Sequence, residues 1–79
     1  DYIEFDDGYA IVKTTPPRGI LGKTLADAGV RSRYGVTIVG IKSPGQDFSY
    51  ATPTSVVNQG DLIIVSGERR KVEYFSDQE

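Results

Sequence analysis

The stretch GKTLADAGVRSRYGVTIVGIKSPG, residues 22–45, contains a helix start, two helix stops and a strand in close succession. Thr24 is placed to act as an N-cap, with Asp27 three residues on in the manner of a capping box. Gly29 suits the left-handed residue that ends a helix. The spacing predicts a helix of about one to two turns within residues 22–29, too short to persist without tertiary packing, with Leu21, Leu25 and Ala28 as its inward stripe. RSRYG (31–35) reads as a second helical turn stopped by Gly35. VTIVGIK (36–42) reads as a strand, and Pro44-Gly45 ends it in a turn. A buried strand needs no preface of two arginines, a tyrosine and a glycine. An anion-binding site at the mouth of a sheet would use one.

Working outward, YIEF (2–5) and YAIVKT (9–14) flank Asp7-Gly8, a pairing that predicts a hairpin because such turns need positive φ. Pro16 and Pro17 then break the sheet. DFSYAT (47–52) alternates Phe48 and Tyr50 with Ser49 and Ala51, as a half-buried partner strand should. PTSVVNQGD (53–61) is a connector, with Asn58 and Gly60 suited to a turn. LIIVSG (62–67) is a continuous apolar run that reads as a central strand. ERRKVEYFSDQ (68–78) carries Val72 and Phe75 at helical spacing, which places a short amphipathic helix at the C-terminus. The expected fold is α+β: a small antiparallel β half-barrel capped by short helices.

Composition narrows the chemistry. The 79 residues make one small domain, with neither cysteine nor histidine. No disulfide framework or thiolate zinc site can therefore form, and the commonest general base and metal ligand is missing. With no G-x-S-x-G elbow either, the chain is expected not to be an enzyme, and it requires no cofactor or metal. Nine Lys and Arg against 11 Asp and Glu give a net charge of −2, which disfavours nucleic-acid binding. No apolar run approaches the roughly 20 residues of a membrane span, so direct membrane insertion is not expected. The absence of cysteine fits a reducing cytosolic compartment. The absence of methionine, with Asp1 first, suggests a domain cut from a longer polypeptide.

Glu4, Asp6 and Asp7 lack the spacing of a calcium loop and read as a solvated hairpin tip. Arg69, Arg70 and Lys71 read as the solvated face of the last helix. Arg31 and Arg33, two residues apart, do not share a helix face. By composition both are surface charges, although the planar guanidinium fork is the natural partner of a phosphate. Tyr34 is expected to pack at the helix–strand junction.

From GYAIVKTTPP to VEYF the chain resembles the TrkA-C, or RCK-C, domain, the C-terminal regulatory domain of bacterial potassium channels and transporters. GKTLADAGVRSRYGVTIVGIKSPG resembles a pattern of Gly-Lys-Ser-Leu, a spacer ending in Arg, Tyr-Gly-Val and an alternating strand. YATPTSVVNQGDLIIVSG resembles a second, in which a proline and a Gly-Asp pair precede the last strand. The resemblance implies that residues 1–79 form one cytosolic domain downstream of a Rossmann-like RCK-N lobe. Such pairs assemble into rings beneath a membrane pore, and the C-terminal lobe dimerises. In one branch of the family, the dimer cleft binds cyclic di-AMP.

On that likeness Arg31 aligns with the arginine that meets a phosphate. Thr37 stands where an asparagine often hydrogen-bonds ligand or backbone, and Leu25, Ile38 and Pro53 match apolar positions against adenine. Val36 is counted among the ligand-binding positions, although some binders carry a polar side chain there. Gly29 stands where binding members often have an acid. Judged on the residues alone, Leu25 and Ile38 are equally ordinary core, Pro53 a strand stop and Thr37 a good strand former. The implied function is noncatalytic regulation of potassium transport by a dimer that senses a phosphate-bearing ligand. The competing expectation is a small protein-interaction module that pairs a partner with edge strand 47–52.

Overall fold

The computed structural model describes residues 2–79. In chain order the elements are β1 (Tyr2–Glu4), β2 (Tyr9–Thr14), a 3-10 turn (Arg18–Ile20), α1 (Leu25–Ala28) and α2 (Val30–Tyr34). Then come β3 (Thr37–Lys42), β4 (Ser49–Tyr50), β5 (Leu62–Glu68) and α3 (Arg69–Ser76). The strands form one antiparallel sheet in the order β1-β2-β5-β3-β4, which does not close into a barrel. The most continuous apolar run of the sequence, β5, is central, as a strand flanked on both edges should be.

Register determines the two faces. Ala10 lies opposite Gly67, Val12 opposite Val65 and Ile38 opposite Val65. These positions face α3, whose Val72 and Phe75 are fully buried. Ile20, Ala28, Val30, Val36 and Val57 complete the core from the turns and short helices. Close approach at the top of this layer requires Gly67, where a Cβ would come within 3.3 Å of Val36 Cγ1 and 3.4 Å of Val72 Cγ2. The Gly-Asp pair before β5 is a turn device. The Asp61 carboxylate, 3% exposed, accepts from the Asn58 N–H at 2.9 Å, and the Asp61 N–H donates to the Asn58 carbonyl at 3.1 Å.

The hairpin, the strand β5 and the C-terminal helix form as the sequence predicts. Thr24 caps α1, its hydroxyl accepting from the Asp27 N–H at 3.1 Å, and Gly29 takes φ 62°. Two expectations need correction. The edge strand expected over 47–52 is only Ser49–Tyr50. Beyond it, among the described residues, only the Ala51 N–H continues toward β3, donating to the Val39 carbonyl at 3.2 Å, where β3 carries a bulge in its ladder with β5. The basic run after Glu68 is not simply solvated. Arg69 bridges Glu4 at 3.2 Å and Glu73 at 3.6 Å, tying α3 to the hairpin. The Lys71 stem lies across Gly35. Long cations bury their methylenes while keeping the charge wet.

Candidate functional site

α1 and α2 are successive single turns joined through Gly29, which is both the C-cap of one and the N-cap of the other. The N-terminal donors of α1 are already used. Leu25 N–H donates to the Ser55 carbonyl at 2.9 Å and Ala26 N–H to the Pro53 carbonyl at 3.0 Å, while Asp27 N–H meets Thr24. The loop after β4 is thereby stitched to α1, and a Thr24–Val56 bridge continues the seam. No free helix N-terminus is left at α1 to receive an anion.

Between this seam and the start of β3, which pairs with β5 but not with β4, lies a cleft of about 260 Å³. Leu25, Arg31, Val36, Thr37, Ile38 and Pro53 all line it. The structure thus brings together every residue that the sequence singled out. Val36 and Ile38 are buried in its floor, Leu25 and Thr37 are half-buried, and Arg31 and Pro53 are exposed. Ala26, Val30, Ala51 and Thr52 complete the lining. Ala26 and Ala51 are too small to announce themselves in a sequence. Val30, beside Arg31, and Thr52, beside Pro53, carried a signal of adjacency that went unused.

The two arginines part company here. The Arg33 guanidinium donates to the Ala28 carbonyl at 3.2 Å and to the Tyr34 hydroxyl at 3.3 Å, and lies 5.1 Å from the Tyr34 ring centroid. Tyr34 in turn meets Phe75 edge to face, with centroids 4.9 Å apart. Arg33 is a strut. The Arg31 guanidinium forms no hydrogen bond or ion pair with any described residue, and it stands at the mouth of the cleft. Apolar walls, a lone charged fork and a hydroxyl at Thr37 suit a flat, phosphate-bearing guest.

Two of the three hairpin acids are already engaged. Glu4 is bound to Arg69, and Asp7 closes its turn by accepting from the Tyr9 N–H at 3.2 Å. Among the described residues no group of three or more metal-ligating side chains gathers anywhere. No helix of the described residues is long and apolar enough to cross a membrane.

The chain belongs to the TrkA-C domain family, whose profile matches residues 9–78. It is 28% identical over 78 residues to Ktr system potassium uptake protein A of Bacillus subtilis (strain 168). That alignment covers 99% of this chain and 35% of the relative, so the chain spans about a third of that relative's length, as it does of Ktr system potassium uptake protein C of the same organism. Among solved structures it superposes on the GsuK RCK domain with a TM-score of 0.76 at 27% identity, over 87% of this chain and 16% of that one. The RCK C domain of the potassium transport protein KtrA, in complex with cyclic diadenosine monophosphate, gives a TM-score of 0.72 at 27% identity. There the match covers 89% of this chain and 82% of the other.

Proposed function

We propose that this chain is the noncatalytic regulatory lobe of a cytosolic potassium-transport protein, and that two copies join across the Arg31 cleft to sense cyclic di-AMP. The observation that carries this is the pairing of an unengaged Arg31 guanidinium with apolar walls from α1, β3 and the Pro53 loop. The likeness to the KtrA RCK C domain, which holds cyclic di-AMP, supports the choice of ligand. A two-fold ligand suits a two-fold cleft because each subunit's residues are then used twice. Arg31 supplies a charge-assisted fork to each phosphate, Thr37 a short polar contact, and Leu25, Ile38 and Pro53 the surface on which adenine rests. Ligand binding favours one dimer geometry, and an upstream Rossmann-like RCK-N lobe passes that bias to a membrane pore subunit.

Calorimetric titration with cyclic di-AMP tests the proposal. The expected result is saturable binding at one ligand per two chains, weakened about 100-fold or more by Arg31→Ala, since a charged hydrogen bond contributes roughly 1.5–3 kcal/mol and two are lost. Absence of heat with the wild-type chain, or unchanged affinity in Arg31→Ala, overturns it.

A further inference from the structure

The sheet has two faces, and the described residues cover only one. Opposed residues in an antiparallel ladder share a face. The register Ile3↔Ile11↔Ser66, with Lys13↔Ile64↔Gly40↔Tyr50, therefore puts Ile3, Ile11, Ile64 and Tyr50 on the side away from Ala10, Val65 and α3. Phe48 joins them, because a Cβ at Gly40 would lie 3.7 Å from both Phe48 Cδ1 and Ile64 Cδ1. These are not grazing exposures. Tyr50 is 92% accessible and Ile3 57%. Beside Tyr50 a groove of about 380 Å³ runs between Val39, Phe48 and Ile64, with Gly40 as its floor. It shares no lining residue with the Arg31 cleft.

Three properties point to one occupant. The apolar side chains of this face expose on the order of 600 Å², close to the roughly 800 Å² that each partner contributes to a standard specific interface. The face offers both a knob and a hole, the Tyr50 ring and the adjoining groove, as a self-complementary surface requires. Charges at its two ends are also disposed for self-pairing. Glu68 ends β5 on one side, and Lys42, opposite Leu62, ends β3 on the other, while Lys13 lies between them opposite Ile64 and has a partner within the chain. A two-fold axis lying in the interface across the strands brings Glu68 of one copy over Lys42 of the other.

We propose that this outer face is a second self-association surface, on which another copy of the chain packs sheet to sheet with each Tyr50 ring seated in the other's groove. It is independent of the ligand cleft. With the two two-fold axes perpendicular, a chain that used both surfaces closes into an assembly twice the size of the cleft dimer.

Sedimentation equilibrium of the chain across a wide concentration range, without ligand, tests this. Tyr50→Glu and Ile3→Glu alter exposed positions, so the fold survives, as circular dichroism would verify. Each is expected to halve the limiting mass, whereas Arg31→Ala leaves this association step intact. Glu68→Lys alone should weaken association several-fold, and adding Lys42→Glu should recover it, as coupled charges do. A wild-type limiting mass that Tyr50→Glu leaves unchanged, or no recovery in the paired reversal, overturns the sheet-to-sheet arrangement.

Discussion

The two ends of α2 serve opposite ends. On the α3 side three long side chains are engaged by their neighbours. Arg33 is held by Ala28 and Tyr34, Tyr34 by Phe75, Arg69 by Glu4 and Glu73. On the cleft side, two residues away, Arg31 reaches over apolar walls with no partner among the described residues. Within one short helix, then, the same residue type is structural at one position and available at the other. Chemistry does not separate them. The direction each Cβ takes from the helix does.

The comparison breaks most forcefully at Phe75. It is fully buried and anchors Tyr34, so Phe75→Ala should cost about 3–5 kcal/mol. In a chain this small that removes most of the stability, and urea unfolding should show a midpoint near zero denaturant. A midpoint like that of the wild type would mean that α3 does not brace α2.

The arginine pair sharpens the contrast at intermediate size. Arg33→Ala should cost about 1 kcal/mol in urea unfolding, from its lost hydrogen bonds and ring contact, and should leave cyclic di-AMP affinity within a few-fold of wild type. Arg31→Ala should do the reverse, with stability unchanged within about 0.5 kcal/mol. If both variants moved both quantities alike, the division of labour within α2 would be wrong.

The smallest expected effect lies at the far edge of the braced region. The Tyr2 phenol is raised above its ordinary value of 10.0, first by desolvation, then by the carboxylates of Glu73 and Glu4, with Arg69 partly opposing. A raised folded-state value means that its contribution to stability is present below the unfolded pKa and is lost as pH rises through the folded one. Ultraviolet titration should place Tyr2 ionisation above that of a free tyrosine, and Glu73→Gln should bring it back toward 10.0. No movement in that variant would show that the Tyr2–Glu73 contact does not form in solution.

Much of the fold was legible because it rests on local signals. Thr24 and Gly29 bracket α1, Asp7-Gly8 turns the hairpin, and the apolar run 62–65 becomes the central strand. The edge strand is shorter than predicted because alternation through Phe48 and Tyr50 does not say how many residues a neighbouring strand pairs. The basic run after Glu68 was misread for a related reason. Glu4 lies far away in sequence, and only the hairpin's return beside α3 brings it to Arg69. The six proposed site residues came from family likeness, and their gathering around one cleft could not be inferred from spacing.

The order of strands and helices, the caps and turns, the lack of histidine and cysteine chemistry and the family itself were all settled by the linear chain, since each depends on neighbours within a few residues or on composition. Which arginine is free, which face of the sheet is bare and where the Pro53 loop closes the cleft were decided by tertiary structure. Those properties depend on which distant side chains arrive to claim a charge or cover a surface, and no local pattern encodes that arrival.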